Sequence, residues 1–317
     1  DESFKIKKSK IRGVESFGMI CAEDEIGVGK SHDGIMVLPD NVAAGTPAAE
    51  YFELRDDYVL EVDLTPNRID AASHYGVARD LAAWLKCHKG EGSVHRPDVD
   101  SFCTDDTLPA ADVKFVDADR CIRYAGVTIR GVKVAESPQW LKDALTTIGQ
   151  RPINNVVDVT NYVLHAFGHP LHAFDLAKLS GDSIEVQTVA PGTEFVTLDG
   201  VTRKLDGADL MICSGGVPRC IAGVFGGLDS GVTETTTDLF LESACFNATS
   251  VRKTARRHGL NTDASFRYER GVDPNGCIYA MKFAALLIQH IAGGICAGPV
   301  VDIYPRVAEP FKVELSH

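Results

Sequence analysis

Residues 182–242 constrain the fold of this chain more than any other part of it. Five short apolar runs follow one another there, separated by turns that contain PGT, LDG, SGG and GG. Short runs rich in β-branched and aromatic residues between such turns are typical of β-strands. The segment is therefore predicted to be rich in sheet, with strands at SIEVQTV, EFVTLDG, DLMICSG, RCIAGVFGG and DLFLES.

Helical patterns and further strands flank this segment. Ser73 can cap a helix that runs to about Cys87, and Ser137 can cap a helix with Pro138 in its first position and Gly149 at its end. The predicted helices lie at 73–87, 137–149, 154–168, 248–258 and 274–293. Further strands are predicted within 4–20, 56–66 and 121–134. The expected fold class is α+β, with mixed β-sheets and peripheral helices.

The composition is that of a soluble globular protein, with 44% hydrophobic and 24% charged residues. A length of 317 residues favours two or more domains. No run of about 18 apolar residues is present, so no membrane span is expected. Nine cysteines without a C-x-x-C pair argue against structural zinc and predict reduced thiols in a cytosolic protein. The first residues lack a start methionine and an apolar signal core, which suggests a piece excised from a longer protein.

The net charge of −12 argues against extensive wrapping of nucleic acid, which requires many Lys and Arg contacts to phosphate. Two local basic stretches remain, KIKKSKIR at 5–12 and RKTARRH at 252–258. Taken alone, each is best interpreted as a solvated face of a strand or helix. Neither a P-loop nor a G-x-G-x-x-G motif after a strand is present, so no motif predicts a nucleotide site.

Three histidines crowd into HAFGHPLHAFDL, at positions 165, 169 and 172. The stretch lacks the Glu of a zinc-binding H-E-x-x-H helix, and Gly168 and Pro170 interrupt the helix, so a metal site is not favoured. Packing or capping is the favoured role of His165 and His169. His172 follows the break on an extended run that ends at Asp175, which can orient a nearby imidazole. For His172 the pattern leaves a cleft role and a packing role equally open.

Several long stretches together resemble the β subunit of bacterial-type phenylalanyl-tRNA synthetase. They lie at 13–27, 59–85, 154–176, 221–232 and 239–274. By this resemblance, residues 1–30 correspond to the last strands of an oligonucleotide-binding-fold module that binds tRNA, and 31–55 to part of a small adjoining module. Residues 56–300 correspond to the central editing modules, and 301–317 to the start of the next module.

The resemblance implies a proofreading function. In the family, the editing site hydrolyses the ester of mischarged Tyr-tRNA(Phe), while aminoacylation takes place in the other subunit. The implied partners are tRNA(Phe) and the α subunit, in a cytoplasmic heterotetramer of two α and two β subunits. No cofactor is expected in this region, although the whole enzyme uses ATP and Mg²⁺. The alternatives are a non-catalytic fragment that only binds tRNA or subunits and, less favoured, a zinc hydrolase built on the three histidines.

The resemblance also assigns site residues. Glu242 corresponds to the glutamate that recognises the tyrosine hydroxyl, and Ala222 to the small residue that leaves room for it. Thr160 and His172 are assigned to the catalytic pocket, with Asn161 as a further polar contact. Without the resemblance, Glu242 would be a surface strand residue, Ala222 a core alanine and Thr160 a residue bonded back to its own helix.

Two further assignments concern tRNA and the remaining histidines. Arg252, Lys253 and Arg256 are candidates for contacts with tRNA phosphates, without base recognition. His169 receives no site role, because the family often carries Gln at this position. His172 either positions the substrate or moves a proton, and the sequence does not distinguish between the two roles.

Overall fold

The computed structural model describes residues 6–29, 31–54 and 57–315. The chain forms two compact units, Asp1–Leu60 and Glu61–His317. In the first unit, β1 (Ser9–Ile11) and β2 (Val14–Ser16) form an antiparallel hairpin, and α1 (Ala48–Tyr51) is a single helical turn. The hairpin agrees with the strands predicted within 4–20, of which residues 4 and 5 lie outside the described range.

The second unit contains the remaining elements. Its strands are β3 (Asp112–Val116), β4 (Cys121–Arg130), β5 (Leu171–Asp175), β6 (Ser183–Thr188), β7 (Glu194–Val196), β8 (Thr202–Lys204), β9 (Leu210–Ser214), β10 (Val217–Ile221), β11 (Phe225–Gly226), β12 (Asp238–Phe246) and β13 (Ile295–Ile303). Its α-helices are α2 (His74–Lys89), α3 (Gln139–Thr147), α4 (Asn155–Phe167), α5 (Ala248–His258), α6 (Asp263–Tyr268) and α7 (Gly276–Ala292).

Two larger sheets organise this unit. The first has the strand order β13-β4-β12-β5 and is antiparallel throughout. The second has the order β11-β10-β9-β6-β3 and is mixed, because β3 and β6 run parallel. The strands β7 and β8 form a separate hairpin. The predicted α+β class with mixed sheets is confirmed.

Both faces of the four-stranded sheet are buried, and each packs against a different layer. Val127, Ile129, Leu239 and Leu241 share a hydrophobic core with residues of α3, α4 and α7. Because successive side chains of a strand point to opposite faces, the alternate positions form the other face. That face includes Tyr124, Phe174, Phe240, Ala244 and Phe246, in one core with residues of the five-stranded sheet such as Ile184 and Ile212. The even-numbered residues of β12, Glu242 among them, therefore lie on this inner face.

The helix α4 carries part of the inner site and has the ends expected from the sequence. The Asn154 side chain accepts hydrogen bonds from the backbone N–H groups of Val156 and Val157. Gly168 ends the helix in the left-handed conformation, at φ 73°. The helix α2 likewise begins after Ser73, whose side chain accepts from the Gly76 N–H, and ends at Lys89.

Two local predictions are wrong. Ser137 does not cap α3, because its hydroxyl donates to Asp158 Oδ2 at 2.6 Å and Pro138 precedes the helix instead. Residues 57–65 form no strand, since no neighbouring strand pairs with them, and Tyr58 and Leu60 are exposed. Residue 56 lies outside the described range. Among the described helices, none has the length and apolar character needed to cross a membrane.

Candidate functional site

A cavity of about 410 Å³ lies where α4, β5, β12, the β10–β11 turn and the start of α6 come together. Its wall combines apolar side chains with a few polar groups, which is the usual character of a small-molecule site. Four of the predicted site residues line it: Thr160, Asn161, His172 and Glu242. The sequence prediction therefore converges on one cavity for these four positions.

Glu242 is a carboxylate enclosed in the core, with 4% of its surface exposed. Its Oε2 accepts a hydrogen bond of 2.7 Å from the Tyr124 hydroxyl. Burial raises the pKa of Glu242 from its ordinary 4.5 to about 7, and the Tyr124 hydrogen bond opposes this rise. The described residues provide no second hydrogen bond to this carboxylate, and its side chain lines the cavity.

His172 lies opposite Glu242 on the neighbouring strand, because the two residues pair in the β5–β12 ladder. Its ring meets the Phe174 ring edge to face, with centroids 4.4 Å apart. Burial lowers the pKa of His172 to about 4, so the imidazole is neutral at neutral pH. Its Nε2 is buried and has no hydrogen-bond partner within the described parts of the chain. The ring is therefore a neutral polar group available to a ligand or a water molecule.

Asp175 does not orient an imidazole, contrary to the prediction. Its Oδ1 accepts from the Ala177 N–H at 3.0 Å, and its Oδ2 accepts from the Thr236 hydroxyl at 2.7 Å. The carboxylate instead caps the 3-10 turn that follows β5. His172 is held by packing against Phe174 and not by a carboxylate.

The other two histidines of the cluster face different surroundings. His165 Nδ1 lies 3.5 Å from an Arg267 guanidinium nitrogen. His169 lines a separate cavity of about 350 Å³ beside the N-terminus of α7, and burial lowers its pKa to about 4. Within the described ranges, no group of three or more His, Cys, Asp or Glu side chains is arranged to hold a metal ion.

The structure places Thr160 in the cavity wall and Ala222 outside it. The Thr160 hydroxyl donates to the Val157 carbonyl at 2.7 Å, so it is bonded back to its own helix while it lines the cavity. Ala222 is a buried core residue that does not line the cavity, although the next residue, Gly223, does. A Cβ atom at Gly223 would lie 2.8 Å from the Phe246 ring and 2.9 Å from the Tyr268 ring. The β10–β11 turn therefore depends on small residues at this point.

The three predicted tRNA contacts lie on α5, away from the cavity lining. Arg252, Lys253 and Arg256 are exposed and make no ion pair with any described residue. The following two residues of the basic stretch, Arg257 and His258, are instead bound to the fully buried Asp209. The first three cations of the basic stretch are therefore exposed to solvent, whereas Arg257 and His258 attach the helix to the sheet.

Sequence reasoning missed Tyr124, the hydrogen-bond partner of Glu242. It is completely buried in β4, and its ring lies parallel to that of Phe240, at a centroid distance of 6.5 Å. A tyrosine in a strand has no local signal of such a role. Only the β4–β12 register places it diagonally across from Glu242, 118 positions away in the chain.

Comparison with known proteins identifies the domain family to which this chain belongs. Residues 120–293 match the model of the B3/4 domain. This range includes the four predicted site residues that line the cavity, Thr160, Asn161, His172 and Glu242. The chain belongs to the B3/4 domain family.

The relatives carry one name. The chain is 59% identical over all 317 residues to the phenylalanine–tRNA ligase beta subunit of Bacteroides fragilis, and 60% identical to that of Porphyromonas gingivalis. It spans 39% and 38% of the length of these relatives. The resemblance identified in the sequence is thereby confirmed. A solved N-terminal fragment of the phenylalanyl-tRNA synthetase beta subunit from Pyrococcus horikoshii matches at a TM-score of 0.38 and 13% identity, over 75% of this chain and 64% of that one.

Proposed function

We propose that this chain carries the editing site of a phenylalanine–tRNA ligase beta subunit and hydrolyses the ester of mischarged Tyr-tRNA(Phe). The observation that carries the proposal is the Glu242 carboxylate, which is buried, accepts a hydrogen bond from Tyr124 at Oε2 and belongs to a side chain that lines the cavity. Such a group discriminates between amino acids that differ only in a hydroxyl.

The physical basis is the asymmetry between accepting and rejecting a hydroxyl. An apolar pocket that binds phenylalanine rejects tyrosine by only about 100-fold, because the added hydroxyl is easily accommodated. A second pocket with a buried acceptor reverses this preference. The tyrosine phenol donates a hydrogen bond to Glu242. Phenylalanine leaves this buried acceptor without a partner, which costs roughly 1–3 kcal/mol of binding free energy, and more for a charged group.

His172 is proposed to hold the attacking water or the ester beside it. Because the ring is neutral at neutral pH, one of its nitrogens can accept a hydrogen bond. Thr160 is proposed to contact the aminoacyl ester through packing or as a hydrogen-bond acceptor. It is not proposed as a donor, because its hydroxyl proton is already donated to the Val157 carbonyl. The adjacent Asn161 adds an amide at the same wall. Oxyanion charge can be stabilised by backbone groups of the β10–β11 turn.

The wider setting belongs to the same proposal. The relatives are named as beta subunits, which implies an α partner. From the family resemblance we further propose a cytoplasmic heterotetramer of two α and two β subunits, in which the whole enzyme uses ATP and Mg²⁺ to charge tRNA(Phe). This region requires neither cofactor for ester hydrolysis. The exposed cations of α5, Arg252, Lys253 and Arg256, are proposed to contact tRNA phosphates.

The first test is the binding of free tyrosine and free phenylalanine to this chain, measured by calorimetry or NMR. Wild type is expected to prefer tyrosine by about tenfold or more, equivalent to roughly 1.4 kcal/mol. Glu242→Ala is expected to lose that preference. Glu194→Ala, which changes an exposed strand glutamate, is the matched control and should retain it.

The outcomes separate the proposal from its alternative. Equal binding of both amino acids by wild type would show that Glu242 does not read the hydroxyl. If neither amino acid binds at millimolar concentration, the chain acts as a scaffold for tRNA or subunits. A preference that survives Glu242→Ala would place recognition elsewhere in the cavity.

A further inference from the structure

Among the described residues, one side chain forms a hydrogen bond with the Glu242 carboxylate. Five titratable groups face it from four elements: Tyr124 and Cys121 on β4, Cys220 on β10, Tyr268 on α6 and His172 on β5. All five are neutral at neutral pH, because burial raises the pKa of the thiols and phenols, which keeps them protonated, and lowers that of the imidazole, which keeps it deprotonated. Only Tyr124 donates a hydrogen bond to the carboxylate among the described residues.

The position of the Tyr124 ring is fixed independently of Glu242. The ring is completely buried and lies parallel to Phe240. On β4, the residue directly opposite Glu242 is Gly126, where a Cβ atom would lie 2.1 Å from the tip of the Phe240 ring. The absence of a side chain at 126 lets Phe240 lie flat over the strand, beside the tyrosine. The phenol therefore approaches the carboxylate from one fixed direction.

We infer that Tyr124 is a positioning residue for specificity: its hydroxyl occupies Oε2 of Glu242, so that Oε1 can accept one phenol hydroxyl from the substrate. This inference rests on the proposed function, since it concerns how the same site recognises tyrosine. The protein's own phenol supplies one of the donors that a buried carboxylate needs. The substrate phenol supplies the second donor, to Oε1. A substrate without a para-hydroxyl leaves Oε1 without a hydrogen bond.

The role has a measurable consequence for the ionisation of Glu242. Burial raises the carboxyl pKa and the Tyr124 hydrogen bond lowers it. Tyr124→Phe removes the lowering contribution and keeps the ring. The titration midpoint of Glu242 should therefore move upward from about 7, by about one pH unit for a hydrogen bond to a charged group.

The experiment is ¹³C NMR of the glutamate carboxyls in this chain, with Glu242→Gln to assign the resonance. Wild type, Tyr124→Phe and Ser243→Ala are titrated from pH 4 to 10. Ser243 is the matched control, because its buried hydroxyl donates to the Cys277 carbonyl on the opposite face of the same strand. An upward shift in Tyr124→Phe alone supports the inference, and an unchanged midpoint overturns it without any ligand being needed.

A second arm measures tyrosine and phenylalanine binding at pH 7 and pH 9. Tyr124→Phe should lose about tenfold of the tyrosine preference at pH 7 and recover part of it at pH 9, where the carboxyl is again ionised. A loss that is equal at both pH values would indicate a merely structural role. If wild type shows no tyrosine preference while the titration shifts as expected, the proposed function fails and the Tyr124 hydrogen bond stands.

If Tyr124→Phe does not fold, the double variant Tyr124→Phe/Glu242→Gln provides the test. Glutamine carries no charge, so it does not require the phenol as strongly as the carboxylate does. The double variant should then regain the folded near-ultraviolet circular dichroism spectrum. Failure of both variants alike would show that the hydroxyl stabilises the fold independently of Glu242.

Discussion

At the scale of single residues, the inner face of the sheet brings together ionisable groups with opposite responses to burial. Glu242 and His172 are paired on adjacent strands, and both the Glu242 side chain and Nε2 of His172 are buried. Burial disfavours the charged form in each case, which raises the pKa of the acid and lowers that of the base. At neutral pH the site therefore has a neutral imidazole beside a carboxyl that titrates.

This arrangement predicts a pH-dependent effect of Glu242→Gln on stability. The unfolded carboxyl ionises near 4.5 and the folded one near 7, so between these values the folded state binds more protons than the unfolded state. The stability of the wild type should then fall as pH rises through this window, and glutamine removes the effect. The free energy of unfolding of Glu242→Gln relative to wild type should rise by roughly 3 kcal/mol between pH 4.5 and 8.

Urea denaturation at pH 4.5, 5.5, 6.5 and 8 measures this difference. Glu194→Gln gives the background for an exposed strand glutamate. A gap between Glu242→Gln and wild type that stays constant with pH would contradict the burial of a titrating carboxyl.

At the scale of secondary-structure elements, α5 is attached to the five-stranded sheet by one buried carboxylate. Asp209, just before β9, is fully buried. It accepts from the Thr254 hydroxyl at 2.9 Å, from His258 Nε2 at 2.7 Å and from Arg257. These three donors belong to α5, and a fourth, the Asp206 backbone N–H, donates to Oδ2 at 2.8 Å from the loop before β9. We therefore expect the orientation of the helix, including its exposed cationic face, to depend on Asp209.

Asp209→Ala should therefore destabilise the protein by about 3 kcal/mol, because it leaves buried donors without their acceptor. Asp206→Ala is the matched control. Asp206 lies 3.7 Å from the same Arg257 but is half-exposed, so it should cost about 1 kcal/mol or less. The midpoints of chemical denaturation measure both effects, and equal losses in the two variants would refute the role of Asp209 as the attachment point.

Features that depend on neighbouring residues could be predicted from the sequence, whereas contacts between residues far apart in the chain could not. Ser73 as the cap of α2 and Gly168 as the end of α4 were predictable, because a cap and a left-handed glycine act within one turn. Ser137 was mispredicted, because Asp158, 21 positions away, binds its hydroxyl. The Tyr124–Glu242 hydrogen bond spans 118 positions and depends on the register of two strands. Helix ends were therefore readable from local sequence. The burial of Glu242, which the residues alone indicated as a surface strand position, and its contact with Tyr124 were not.

At the scale of the whole molecule, the charge distribution sets the conditions for RNA binding. The chain has 44 acidic and 32 basic side chains, for a net charge of −12. Long-range attraction to an RNA polyanion is therefore weak, and any attraction has to come from a local cationic surface. The free face of α5, formed by Arg252, Lys253 and Arg256, is one such surface.

If these three side chains contact tRNA phosphates, their removal should reduce the salt dependence of binding. The triple alanine variant is expected to flatten the slope of log affinity against log salt by about 2–3, since each lost phosphate contact contributes about 0.7–0.9. Fluorescence anisotropy with labelled tRNA between 50 and 300 mM salt measures the slope. Replacing Lys86 and Lys89, which are exposed on α2, is the control, and an equal change there would show only a general charge effect.

The cavity described above has two walls of different construction. One wall lies on β12, which is hydrogen-bonded to a strand on each side, whereas the other is the β10–β11 turn with its glycines. Backbone amides exchange with deuterium only when their hydrogen bonds open, so those of β12 exchange at the rate of nearly complete unfolding. The amides of the turn, which lie between two strands and not within a sheet, are expected to exchange through smaller local openings. If the cavity binds an amino acid as proposed, we expect the turn to be the wall that opens to admit it and β12 to be the wall that keeps its shape.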